Sequence, residues 1–287
     1  MYIRCPKIAI ALACITALSG CGAIKGTGDA LFGPGRDDAK LTPRNNTFRD
    51  LLNLPQPKGK ILAAVYNFRD QTGQYRPSPA SSFSTAVTQG AASMLMNVLN
   101  ESGWFIPLER EGLQNLLTER KIIRAALAKP DAPENNSILP SLIAANILLE
   151  GGIVAYDTNL MTGGAGARYF GIGADEQYRV DQITVNLRAV DIRSGRVLHS
   201  VLTSKTVYSK AISMDVFRYV KYKRLLEIEA GTTTNEPAQL ALLSAMESAV
   251  IHLIGQGIVN NSWALQNPDD ISSPVLQYYL NESATIL

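Results

Sequence analysis

The sequence predicts an α/β (α+β) body on one sheet, joined to two β-hairpins of membrane-crossing length and led by a lipid-attachment signal. Three observations predict this. Between residues 60 and 256, apolar runs of strand character alternate with stripes at helical spacing, which sets helices against a single sheet. Two further segments, 157–181 and 209–235, carry strand alternation and no helical stripe. The chain also opens on a basic and then apolar segment that ends at Leu18, Ser19, Gly20 and Cys21.

The opening segment sets the address. Arg4 and Lys7 precede the apolar run 8–18, which is too short to span a bilayer as a helix and suits a signal-peptide core. Small residues before a cysteine fit the cleft of a lipoprotein signal peptidase. Residues 1–20 then leave, and Cys21, already carrying diacylglycerol, becomes the new N-terminus and takes a further acyl chain (palmitate). The alternative is an ordinary secretory signal with a chance cysteine. Cys5 and Cys14 leave with the signal, so Cys21 is the one cysteine kept and no disulfide can form. Gly22, not aspartate, directs such a lipoprotein to the outer membrane of a Gram-negative cell. Of 27 basic and 25 acidic residues, Arg4 and Lys7 are lost with the signal, which leaves a neutral chain. No clustered basic surplus marks a nucleic-acid partner.

The elements come in order along the chain. Residues 21–58 are rich in Gly, Pro, Asp and Asn and read as a tether, with one helix-like piece at 47–54. The periplasmic body is expected over 59–156, 182–208 and 236–267. Strand 61–67 leads into a long loop, NFRDQTGQYRPSPASSFS at 67–84, before a helix over 83–101. Such connections usually take about two to six residues, and a longer one is more often functional or disordered than idle. The helix places Val87, Ala91, Met94, Leu95 and Val98 on one stripe, and Gly103 suits its C-terminal cap. Residues 104–108 form a short strand, and 111–127 a second amphipathic helix with Leu113, Leu116, Leu117 and Ile123 inward. Strand 147–156 comes next. Runs 184–192 and 196–206 around Ser194 and Gly195 read as a hairpin. Helix 237–256 turns Leu242, Ala245, Met246, Ala249 and Leu253 inward, with Asn235 as a cap and Pro237 in its first turn.

The segments 157–181 and 209–235 stand apart. In the first, Met161, Gly163, Ala165, Ala167 and Tyr169 alternate with Thr162, Gly164, Gly166 and Arg168. In the second, Leu226, Ile228 and Ala230 oppose Glu227 and Glu229. Arms of about ten residues match tilted strands crossing a membrane. The same pattern also describes two surface hairpins on a soluble domain. Two hairpins cannot close a barrel, because about eight strands are the minimum, and open edges cannot be left in lipid. A membrane reading therefore requires several chains, each giving four strands.

Catalytic constellations are hard to assemble. His199 falls in a strand and His252 within a helix, so both read as structural. No set of His and Cys ligands suits zinc, so no metal site is expected. The run GGAG at 163–166 lacks the lysine and the strand-to-helix setting of a phosphate loop. Glu227 and Glu229 fit a barrel lumen or a solvated face at least as well as a catalytic pair. No enzyme is expected, and no cofactor beyond the lipid on Cys21.

Several long stretches carry a resemblance. They are PASSFSTAV at 79–87, WFIPLER at 104–110 with GLQNLL at 112–117, ERKIIRAA at 119–126, GARYFGIGAD at 166–175 and TTNEP at 233–237. On these the chain resembles the CsgG family of curli production assembly/transport lipoproteins. The likeness runs from the signal to about residue 267, with 268–287 reading as a variable tail. The resemblance implies an outer-membrane lipoprotein with a periplasmic α/β domain. Nine copies, each giving two transmembrane β-hairpins (157–181 and 209–235), complete one shared barrel. Unfolded curli subunits would cross it by diffusion, ungated or gated by accessory curli proteins of the periplasm and cell surface. The long loop would form the constriction, where the family's tyrosine, asparagine and phenylalanine rings fall here on Ser78, Ser82 and Phe83. Only the phenylalanine is kept, and Tyr75 is a secondary aromatic that could compensate if the loop folds inward. Glu227 and Glu229 would be acidic lumen residues. The alternative is an outer-membrane lipoprotein scaffold or binding module that faces the periplasm without pore activity.

Overall fold

In chain order the elements are α1 (Asn46–Leu52), β1 (Ile61–Asp70), α2 (Ala91–Glu101), β2 (Phe105–Leu108), α3 (Leu113–Leu127), β3 (Ile147–Gly163), β4 (Glu176–Asp191), β5 (Val197–Ala211), β6 (Phe217–Val220), α4 (Ala238–Val259), a 3-10 helix (Pro268–Ser272) and α5 (Pro274–Thr285). The structure is a computed structural model and describes residues 41–42, 44–75, 85–127, 139–163, 176–211, 217–220 and 238–285. The strands form one mixed sheet in the order β2-β1-β3-β4-β5-β6. β1 runs parallel to β2 and β3, and the pairs from β3 to β6 are antiparallel. The interleaved α/β reading with a single sheet holds.

Burial alternates along the central strands. Ile183, Val185, Leu187 and Ala189 of β4 are fully buried, Thr184 and Asn186 between them are half-buried, and Gln182 and Arg188 are exposed. That period of two puts one sheet face under helices and leaves the other to water. The covering layer is α2 and α4, which pack on β1 and β2 and on β4 and β5 respectively. α4 is buried on nearly every side, not on a single stripe: beside Leu242, Ala245, Met246, Ala249 and Leu253, it buries Leu243, Val250, Ile251 and Ile254. Its outer side is closed by α1, α2 and α5. Length and composition would let it cross a membrane, but it is the core helix of this body.

Four sequence expectations differ from the structure. First, α2 starts at Ala91, not at residue 83. The Thr85 hydroxyl donates to the Val87 carbonyl and the Thr88 hydroxyl accepts from the Gly90 amide, local bonds that compete with helix. Second, no residue of α3 is buried, so Leu113, Leu116, Leu117 and Ile123 do not face a core. The covered sheet face is already filled by α2 and α4. Third, the compact unit begins at Arg44, well inside the stretch that composition assigns to the tether. Asn45 caps α1 by accepting from the Phe48 amide, Leu51 and Leu54 are buried, and the Trp104 indole N–H donates to the Pro55 carbonyl at 2.9 Å. Fourth, residues 268–285 fold. α5 buries Leu276 and Tyr279, and the Tyr279 hydroxyl donates to Asp50 Oδ2 at 3.0 Å.

The β4–β5 hairpin is as read. The Asp191 carboxylate accepts from the Arg193 and Ser194 amides and from the Ser194 hydroxyl, and Gly195 takes φ +69°. Those donors hold the Asp191 carboxyl below its usual range.

Candidate functional site

The candidate site is the end of the sheet from which the long loop and the strand pairs emerge. Two adjacent glycines bring β1 and β3 together there. Gly151 has φ +155°, and a Cβ on it would collide with the Asn186 carbonyl oxygen. A Cβ on Gly152 would collide with the Arg69 carbonyl oxygen. The β1–β3 register shifts between Val65 and Phe68, and Gln71 beyond the end of β1 still donates its amide to the Ile153 carbonyl at 2.9 Å. A bulge of this kind bends a strand and re-aims the chain beyond it.

The loop leaves on two bonded feet. Asp70 Oδ1 accepts from the Thr72 amide at 2.8 Å and hydroxyl at 2.7 Å, and Asp70 Oδ2 accepts from Gln89 Nε2 at 3.3 Å. Gly73 takes φ +63°. The Ala86 amide donates to the Gln74 carbonyl at 2.9 Å, and Tyr75 forms an antiparallel bridge with Thr85. The ends of segment 76–84 are thus pinned side by side, and Tyr75 at one end is 60% exposed. Ser78, Ser82 and Phe83 lie outside the described residues, as do Cys21, Glu227 and Glu229.

The strand pairs are long. β3 and β4 pair from Ile147↔Asp191 through Tyr156↔Ile183 to Gly163↔Glu176, with one irregularity between Ile153 and Ala155. β5 tracks β4 over its whole length to Gln177↔Ala211, and β6 adds to it from Tyr208↔Val220 to Ala211↔Phe217. At about 3.3 Å per residue the 17-residue β3 spans about 55 Å. Tyr156, Asp181 and Val207 are buried on these strands, and the Tyr156 hydroxyl lies 3.3 Å from Asp181 Oδ2. The turn of hairpin 157–181 and most of segment 209–235 lie outside the described residues.

On the uncovered face, Asn67, Gln71, Glu150, Gly151, Asn186 and Arg188 line a cleft of about 200 Å³. Arg188 Nη2 donates to Glu150 Oε2 at 3.0 Å. The cleft is lined by polar side chains. The two histidines lie elsewhere and are packed. His199 Nε2 is 2.7 Å from the Ser262 hydroxyl, and its ring meets Trp263 edge-on. His252 Nδ1 is 3.1 Å from the Ser283 hydroxyl, with Nε2 3.5 Å from Glu282. Burial lowers both imidazole pKa values, and Glu282 opposes the shift at His252. Among the described residues no group of three or more His, Cys, Asp or Glu side chains could hold a metal.

Sequence reasoning missed the glycine pair, the Asp70 knot and the Arg44–Glu101–Glu247 cluster, of which Glu247 is buried. Adjacent glycines inside a strand run were a readable signal of close backbone approach. The cluster had none, because Arg44 meets partners 57 and 203 positions away.

The family model described as curli production assembly/transport component CsgG matches residues 44–283. A protein of that name from Salmonella typhimurium strain LT2 is 52% identical over 277 residues, covering 96% of this chain and 96% of its own. Its namesake from Escherichia coli K12 is 51% identical over 275 residues, covering 95% of this chain and 96% of its own. Among solved structures, the hypothetical protein CT253 from Chlamydia trachomatis covers 70% of this chain and 98% of its own at a TM-score of 0.35 and 12% identity. That likeness is too slight to bear on function.

Proposed function

The chain belongs to the family of the curli production assembly/transport component CsgG, and on that premise we propose that it is an outer-membrane channel for unfolded curli-type amyloid subunits. The family is one of transport components and not of enzymes. In this reading the subunits pass from periplasm to cell surface by diffusion, ungated or gated by accessory curli proteins. The chain would be held by lipid on Cys21, with 157–181 and 209–235 as its membrane hairpins and nine copies closing the barrel.

One observation carries the reading. β3, β4 and β5 stay paired over lengths of 17, 16 and 15 residues, and β6 adds a fourth strand at one end of them. Strands this long have room for a body strand and a membrane arm of about ten residues, and the edges they leave in lipid would need another chain. The pinned feet at Tyr75 and Thr85 fit the loop as a constriction carrying Ser78, Ser82 and Phe83, with Tyr75 as a secondary aromatic. Glu227 and Glu229 would face the aqueous lumen. Serines at two of three ring positions would leave the pore wider and wetter than a tyrosine-bearing relative.

Planar-bilayer recording of detergent-purified protein tests the pore. Stepwise ionic conductance is expected. A Cys21→Ala chain that extracts without detergent as a monomer, together with an acylated chain that gives no steps, would leave a periplasm-facing scaffold in its place.

A further inference from the structure

Arg44 stands where the compact body begins, and it joins two helices. Its Nη1 donates to Glu247 Oε1 of α4 at 3.1 Å and its Nη2 to Glu101 Oε1 of α2 at 2.9 Å. Its guanidinium lies 4.5 Å from the centroid of the Phe48 ring. One cation therefore faces two carboxylates. The Glu247 side chain is 1% exposed, and Oε2 of both Glu247 and Glu101 is buried with no hydrogen-bond partner among the described residues. An ionised pair here would keep one uncompensated negative charge and two orphan acceptors out of water, which is costly. A proton on one carboxyl removes the surplus charge and turns one orphan acceptor into a donor.

We propose that this cluster is a proton-binding latch: a proton held on Glu247 keeps residues 44–58 fastened over α2 and α4, and its loss releases them. The fastened segment is a belt with further ties: the Lys58 amide donates to the Ala264 carbonyl at 2.8 Å, the Gln266 amide donates to the Gln56 carbonyl at 2.9 Å, and Pro57 bridges Leu265. Leu51 and Leu54 are buried beneath it, Thr47 and Ser244 share a hydroxyl bond at 3.1 Å, and Trp104 holds the Pro55 carbonyl. The charged groups placed on Glu247 are Arg44, ahead of α1, and Glu101 of α2. Asp50 of α1 is engaged by the Tyr279 hydroxyl, and Glu282 of α5 is turned to His252.

Burial, reinforced by Glu101 and opposed by Arg44, pushes the Glu247 carboxyl from its ordinary 4.5 to about 7. Once the belt lifts, water returns the carboxyl to its ordinary acidity. The fastened state is then at full strength below 4.5, weakens as pH rises toward 7, and changes little above that. Linkage of this size makes release on the order of a hundred-fold more favourable at pH 8 than at pH 5. The latch does not depend on the pore reading. If Cys21 is also the lipid anchor, release lengthens the leash between lipid and body from 22–43 to 22–58.

Hydrogen exchange by mass spectrometry on the full mature chain in detergent, corrected for intrinsic rates, tests the proposal. Peptides spanning 44–58 should lose on the order of a hundred-fold in protection between pH 5 and pH 8, while peptides of α4 should not. Glu247→Gln should hold the belt at both pH values and remove the carbonyl stretch of a protonated carboxyl from the difference infrared spectrum. Should Glu247→Gln fail to fold, Glu101→Gln serves, since loss of its charge lowers the pKa of Glu247 under the belt and should shrink the loss of protection between pH 5 and pH 8. Protection that ignores pH, or an unchanged pH dependence in either variant, overturns the latch.

Discussion

At the scale of single residues, Gly151 and Gly152 control how closely three backbones approach. The nearest atoms a new Cβ would meet are the Asn186 and Arg69 carbonyl oxygens, which no rotamer change can clear. Gly151→Ala should therefore cost at least about 2 kcal/mol, in the upper part of the overpacking range. Urea unfolding of the purified variant measures this, and a midpoint equal to that of the parent chain would mean that β3 slides away freely. Since Gln71 Nε2 donates to the Gly151 carbonyl at 3.2 Å, the same change should loosen the first foot of the loop. This much was legible in advance, because paired glycines inside an apolar strand run have few other uses. The Arg44 cluster was not legible. Nothing local marks a guanidinium whose two partners come from helices that only the tertiary fold brings together.

At the scale of elements, amphipathic spacing reported the presence of helices better than their surroundings. α2 and α4 satisfy their stripes, yet α4 is sealed on its other sides by helices that a stripe cannot announce. α3 carries a comparable stripe and buries none of it, because the face it would cover is taken. The C-terminal α5 was passed over, although Leu276, Tyr279 and Leu280 recur at helical spacing and the first two are buried. Its packing makes a definite expectation. Deleting residues 274–287 uncovers Leu276 and Tyr279 and strips one side of α4. Full burial of such side chains is worth about 1.5–3 kcal/mol each. Chemical denaturation should show a loss on the order of 3–5 kcal/mol, smaller than the full sum would allow since α4 partly re-covers itself. Unchanged stability would return the segment to the status of a dispensable tail.

At the scale of the whole molecule, the open end of the sheet decides what the chain is for. Four paired strands leave two edges, and edges in lipid are excluded, so a channel built from this chain must be a closed ring of copies. Closure has a consequence that one chain alone cannot show. Every residue of the loop is then repeated around an axis, so Ser78→Tyr narrows the passage once per copy and should lower conductance several-fold when all copies carry it. Mixing parent and Ser78→Tyr chains during assembly should give a graded series of discrete conductance levels, one for each number of tyrosines in the ring. Nine copies would give ten levels, as the family resemblance implies. Each step should be smallest while serines still leave a wide opening and largest as the tyrosines begin to meet. Two levels alone, parent and variant, would mean that each pore is lined by a single chain's loop. No levels at all would remove the loop from the axis and leave the paired strands to serve a contact between proteins instead of a passage through lipid.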